Sequence, residues 1–217
     1  MSRIGRDGRS ALRLGAFGLS VRPARVGYRG PMDESGVTVR PRASVTLIRR
    51  IRNADQAALA GFYAALSPES RRLRFFSAGS GLGARTARSF CHPDHAHQEG
   101  FVVVTEAGEG EAEPGAAERR IVGHLCLEPT SDGALEMAVA IADAYQRHGL
   151  GRRLLRAATT WARQHGYEQM RATILVDNVP MLRLLQSMDG RVELGPPSEG
   201  VVSATVDLVP IREAAPA

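Results

Sequence analysis

The stretch A-V-A-I-A-D-A-Y-Q-R-H-G-L-G-R, Ala138 to Arg152, constrains this chain more than any other. An apolar run rich in β-branched residues stops at Asp143, a polar turn follows, Gly149 and Gly151 sit two apart, and an amphipathic run opens behind them. The pattern reads as a strand, a tight turn and a helix N-terminus. A helix start leaves backbone N–H groups unpaired and carries the positive end of the helix dipole, so such a turn can receive an anion such as a pyrophosphate. Glycine at both positions lets the backbone approach oxygens that a Cβ would hold off. The spacing is not the dinucleotide-binding G-x-G-x-x-G, and no Gly-Lys-Ser/Thr follows to make a P-loop.

Upstream, Val45–Ile48 predicts a strand, and Asn53 or Asp55 caps a helix over Gln56 to Leu66 with Leu59, Phe62, Tyr63 and Leu66 as its apolar face. Ser67-Pro-Glu69 opens a second helix with a cap, a first-turn proline and a first-turn acid. On it, Arg71, Arg72 and Arg74 are expected outward and Leu73, Phe75 and Phe76 inward. Gly79 to Gly83 reads as a loop. In Cys91-His-Pro-Asp-His-Ala-His97 the spacing of His92, His95 and His97 fits neither a helical i, i+4 pair nor a zinc ribbon, and Pro93 breaks a helix. Surface histidines, not a metal site, are expected there.

Strands follow at Phe101–Thr105, Ile121–Leu127 and Leu135–Ala142, with an acidic Gly/Pro loop at Gly108 to Glu118 and a bulge or close approach at Gly123. The helix behind the glycine turn runs to about His165, with Leu150, Leu154, Ala158, Trp161 and Ala162 inward. Met170–Val176 is apolar enough for a centre strand. Asp177 and Asn178 cap a helix to about Met188, and Val201–Val209 alternates as a last strand.

Gln146-x-x-Gly149-x-Gly151 resembles the Q/R-x-x-G-x-G/A acyl-CoA motif of the GNAT superfamily of N-acetyltransferases. Leu66-Ser-Pro-Glu-Ser-Arg-Arg-Leu-Arg-Phe-Phe76 is similar to the L-S-P-E-S-x-x-x-R-F-F element of its bacterial protein lysine acetyltransferase (Pat) branch. The resemblance spans roughly residues 43–210, and the expected order β-α-α-β-β-β-α-β-α-β matches the family's α/β plan, a mixed, mostly antiparallel sheet flanked by helices.

The resemblance implies that the fourth and fifth strands splay and that the pantetheine arm of acetyl-CoA enters the gap. The backbone of Ala140 and Ile141 would pair with pantetheine, the N–H groups of Gln146, Arg147, His148, Gly149, Leu150, Gly151 and Arg152 would hold the pyrophosphate, and Asn178 would touch the cofactor. Met181, Leu184 and Gly190 continue the family pattern, but Arg191 replaces an aromatic residue. Leu182, Leu184 and Leu185 stand where many members carry a general-acid tyrosine, which leaves Ser187 or solvent.

An amine acceptor is protonated near neutral pH, so acetylation needs a general base. Glu136 lies ten residues before Gln146 between Leu135 and Met137, and a carboxylate in apolar surroundings has a raised pKa. It also matches the catalytic glutamate of the Pat family. Glu128 and His124 are the alternatives.

Composition sets the outer limits. Of the formal charge of +5, the excess lies in residues 1–42, where nine Arg face three acids, and every basic residue of the chain is Arg. That Arg-, Gly-, Ser- and Pro-rich segment predicts a basic disordered tail, 43–210 an acetyltransferase domain, and 211–217 a second tail. No run approaches the ~18 apolar residues of a membrane span, and two cysteines suit a cytoplasmic protein without a disulfide framework. The expected activity is acetyl-CoA-dependent N-acetyl transfer through a ternary complex, with a protein lysine as acceptor. A small amine acceptor and an idle acyl-CoA-binding regulator are the other readings. No metal, membrane or specific nucleic-acid partner is expected.

Overall fold

The computed structural model describes residues 46–77, 82–105 and 120–208. The two tails and the acidic loop at 108–118 lie outside the described residues. One sheet takes the order β1-β2-β3-β4-β5-β7-β6. Its strands are β1 (Thr46–Arg50), β2 (Glu99–Thr105), β3 (Arg120–Pro129), β4 (Leu135–Ile141), β5 (Gln169–Leu175), β6 (Val192–Leu194) and β7 (Val201–Asp207). Every neighbouring pair is antiparallel except β4–β5. The helices are α1 (Gln56–Ala65), α2 (Pro68–Phe75), α3 (Ala84–Phe90), α4 (Leu150–Gln164) and α5 (Val179–Gln186). This is the mixed, mostly antiparallel α/β fold that the sequence predicts.

Each face of the sheet has its own core. α4 packs the predicted Leu150, Leu154, Ala158, Trp161 and Ala162 against Leu125, Leu127, Leu135, Met137 and Met170. α1 lays Leu59, Phe62 and Tyr63 on the opposite face, against Val102, Val104 and Ile121. Burying such side chains contributes about 1.5–3 kcal/mol each. Because side chains alternate along a strand, Leu135, Met137, Val139 and Ile141 belong to the α4 side, while Glu136 and Ala140 face the α1–α2 side.

At Gly123 both expectations meet. The β2–β3 register shifts between Val103 and Val104, and a Cβ on Gly123 would lie 2.8 Å from Ile141 Cδ1 and 2.9 Å from Val103 Cγ2.

Two elements have no counterpart in the sequence reading. α3 carries a single buried residue, Ala87, so no apolar stripe announces it. β6 is three residues long, too short for a period to show. On α2 Arg74 turns inward, not outward as its sequence suggests, with its guanidinium 4.9 Å from the Phe75 ring centroid and 5.7 Å from that of Phe90. Phe76 is the left-handed residue that ends α2.

Candidate acyl-CoA site

β4 and β5 pair only through Leu135 with Met170 and Glu136 with Arg171, then separate. Past that point the edge of β4 that faces β5 is left without a strand partner. A cavity of about 780 Å³ occupies the gap. Val139, Ala140 and Ile141 form one wall, the turn after β4 and the start of α4 form the end, and Asn178 to Leu184 close the far side with Ser70, Leu73 and Arg74 of α2 opposite.

The turn is built as its sequence predicts. Arg147 and Gly149 take left-handed conformations, φ 62° and 77°, and Gly149 caps α4. The Gln146 N–H donates to the Asp143 carbonyl at 3.3 Å. The six N–H groups that follow, Arg147 to Arg152, meet no acceptor among the described residues. A Cβ placed on Gly149 meets nothing within 4 Å, so it would project into the open cradle. Free donors, a helix N-terminus and an open gap fit a pyrophosphate followed by an extended arm.

Of the predicted cofactor residues, Ala140, Ile141, Gln146, Arg147, Gly149, Leu150, Gly151, Arg152 and Asn178 all line the cavity, and His148 alone does not. Several arrive with partners already. The Ile141 carbonyl accepts the Gln146 amide at 3.1 Å, and Asn178 Oδ1 caps α5 by accepting the Met181 N–H at 3.2 Å.

The Leu66–Phe76 element is part of this construction, a role the sequence did not disclose. Ser67 caps α2 by accepting the Ser70 N–H at 3.1 Å. Asp143, in the turn that follows β4, accepts the Ser67 N–H at 2.9 Å, the Ser67 hydroxyl at 2.7 Å and the Ser70 hydroxyl at 2.7 Å. The Ser70 hydroxyl in turn accepts the Gln146 amide at 3.0 Å. On the other side Arg72 reaches Asp177, directly before Asn178, at 2.8 Å. One short helix thus ties down both the phosphate turn and the start of α5.

Burial opposes the charge on Asp143, but the N–H and two hydroxyls outweigh it and hold the carboxyl below the ordinary carboxylate range. A depressed folded-state pKa stabilises above the unfolded pKa, and that stability is lost as pH falls through the folded value. Asp143→Ala should therefore lower the melting temperature at pH 7 by an amount corresponding to about 1–3 kcal/mol. The deficit should narrow below pH 4. A constant deficit between pH 3 and pH 7 in thermal melts would refute the assignment.

The acid–base groups lie on the α1–α2 face. Glu136 sits where β4 and β5 part, exposed, with no ion pair among the described residues. Its neighbour on β5, Arg171, is engaged by Asp132. Leu135 and Met137 point to the opposite face, so the apolar surroundings expected of Glu136 are not there. Directly across β3–β4 stands Glu128. It is half-buried, and desolvation, followed by the charges of Asp94 and Glu136, pushes its pKa up.

His124 is fully buried, with Nδ1 2.8 Å from the Tyr63 hydroxyl. Burial, aided by Arg74, pushes its pKa down to about 3. Unlike Glu136 and Glu128, it has no exposed surface from which to meet an acceptor amine. Ser187 Oγ donates to the Leu184 carbonyl at 2.7 Å as part of the end of α5. Asp94 of the histidine-rich loop accepts the N–H groups of Ala96, His97 and Gln98. Among the described residues no cluster of His, Cys, Asp and Glu is arranged to hold a metal.

The model of the acetyltransferase (GNAT) family matches residues 67–189, more than half of the chain. The fold is similar to the GNAT domain of S. lividans PAT (23% identity, TM-score 0.62), over 74% of this chain and 89% of that one. It is similar to yncA of Salmonella typhimurium, solved with its cofactor acetyl-CoA (20% identity, TM-score 0.56, 79% of this chain and 96% of that one). A GCN5-related N-acetyltransferase from Kribbella flavida is comparable, at 19% identity and TM-score 0.55 over 75% of this chain and 97% of that one. No curated protein matches the sequence. The chain belongs to the GNAT family of acetyltransferases. Its chemistry is accordingly acetyl-CoA-dependent N-acetyl transfer.

Proposed function

We propose that the acceptor is a lysine side chain of another protein, as in the Pat branch, and that Glu136 is the general base. The observation that carries this reading is the position of Glu136: an unpaired carboxylate, exposed on an open face where the β4–β5 gap begins. A lysine at the end of its four-carbon stem can reach such a point from a protein surface, whereas a small amine is better held in an enclosed pocket. The Ser67–Phe76 element, with both serines bound into the turn, supports the same branch.

Acetyl-CoA supplies the activated acetyl group. Around it the chain's residues have separable tasks. The free N–H groups of Arg147 to Arg152 hold the pyrophosphate, and Val139 to Ile141 guide the arm. An unpaired N–H on the β5 side of β4 polarises the thioester carbonyl. Glu136 takes the proton from the acceptor amine, directly or through one water, and Glu128 shares the site as a partner of raised pKa. We further propose residues 43–210 as the catalytic domain and a cytoplasmic setting. Both cysteines are free and buried, and among the described residues no helix is long and apolar enough to cross a membrane.

The test is acetyl-CoA consumption by purified protein against a panel of lysine-bearing proteins and small amines, with acetyl-lysine detected separately. The chain has no lysine, so an ε-acetyl signal reports the added protein alone. Protein acceptors should be labelled, at rates unchanged by removing residues 1–42. Rapid turnover of small amines with protein acceptors unlabelled would reverse the acceptor assignment. A fall in rate on truncation would move the domain boundary.

A further inference from the structure

One charge in the cavity wall, Arg74, has no carboxylate partner among the described residues. Arg74 lies one turn beyond Ser70 on α2, and both line the cavity. Ser70 marks the phosphate end through Gln146. Arg74 marks the opposite end: its Nη2 donates to Cys126 Sγ at 3.4 Å, and Cys126 faces Ala138 across β3–β4. Along β4 the next residue on the same face is Glu136, roughly 7 Å further on. The guanidinium therefore stands at the reacting end.

Its contacts there are soft. Nη2 meets a sulfur, the Tyr63 hydroxyl stands nearby, the Phe75 and Phe90 rings flank the group, and Nε is enclosed with no acceptor. No carboxylate forms an ion pair with Arg74 among the described residues, although other arginines of the fold, Arg49, Arg50, Arg72, Arg171 and Arg191, each have one. An enclosed cation without a counter-ion is costly, and a guanidinium fixed between rings is a preorganised fork for a carboxylate.

Resting on the acyl-CoA reading of this cavity, we propose that Arg74 makes its reacting end a carboxylate-recognition site, so that a substrate of this enzyme carries a carboxylate close to the reacting carbon or nitrogen. Two sources have that chemistry: a dicarboxylic acyl group on CoA, or an acceptor whose amine lies close to a carboxylate. For the second source, the order of charges along this face, Arg74 and then the pair Glu128 and Glu136, matches a carboxylate beside an amine.

Calorimetry reads the first source without turnover. Wild-type protein should bind succinyl-CoA at least about tenfold more tightly than acetyl-CoA, the lower range for a hydrogen-bonded charge pair, and Arg74→Met should erase the difference. For the second source, acetyl transfer to a lysine peptide with a glutamate beside the lysine should exceed transfer to the same peptide with glutamine there by about tenfold or more in kcat/KM. That ratio should collapse in Arg74→Met and persist in part in Arg74→Lys. A preference in either arm that depends on Arg74 supports the proposal and names the source. Wild-type indifference to the carboxylate in both arms overturns it, as does a preference that survives Arg74→Met. Should Arg74→Met fail to fold, the wild-type ratios and Arg74→Lys decide. Binding of CoA itself, which carries no acyl group, separates the two readings. A wild type that binds CoA but ignores carboxylates loses only this inference, and one that does not bind CoA loses both.

Discussion

Glu136→Gln is expected to lower turnover by about 10²–10⁴-fold, the usual contribution of a positioned general base, while CoA affinity stays at the wild-type value. Affinity is spared because Glu136 does not line the phosphate turn or the wall of the gap. The loss should shrink as pH rises toward the ~10.4 of a free lysine amine, since the acceptor then deprotonates unaided. The substitution should also be felt across the strand pair. The charge of Glu136 contributes to the raised pKa of Glu128, so titration of Glu128 by NMR should move down in the variant. A loss of turnover that does not vary with pH, or no loss, would transfer the base to Glu128. His124 is not available for that exchange, because it is sealed against Tyr63.

The second large effect is on cofactor binding. Gly149→Val places a branched side chain in the cradle at a backbone φ of 77°, where an L-residue costs about 1–2 kcal/mol. Gly151→Val brings a Cβ to 3.0 Å from Leu184 Cδ2, on the opposite wall of the same cavity. Each should weaken CoA binding by on the order of 100-fold, equivalent to two charge-assisted hydrogen bonds lost from the turn. The melting temperature without ligand should fall modestly, and far less than the affinity. Wild-type affinity by calorimetry in both variants would remove the phosphate-binding role from this turn.

What could be read from the sequence was local. The turn, α4 and the strand before it are written in adjacent residues, as apolar alternation, two glycines and a helical stripe. The network behind the turn is not, because Asp143 meets Ser67 and Ser70 across more than 70 residues and Arg74 meets Cys126 across 52. Ser67, Ser70 and Arg74 stood out as parts of a motif, but nothing in their spacing said what they hold. The environment of Glu136 shows a different limit. Leu135 and Met137 looked like its surroundings, although a strand sends neighbours to opposite faces, and the burial that raises a carboxyl pKa belongs to Glu128 instead. α3 escaped notice because an arginine-rich segment with one buried alanine leaves no period to find.

The short β4–β5 contact also has a mechanical meaning. Within the sheet, β1 to β4 and the block β5-β7-β6 are stitched by two residue pairs at one end, with α4 packed across both. The apoprotein therefore carries a seam through its middle, bordered by backbone groups that water must satisfy. A ligand lying in that seam works as a rivet, and its binding energy is added to the resistance of the whole domain to opening. Acyl-CoA supply would then set the lifetime of this protein against proteolysis as well as its rate of turnover.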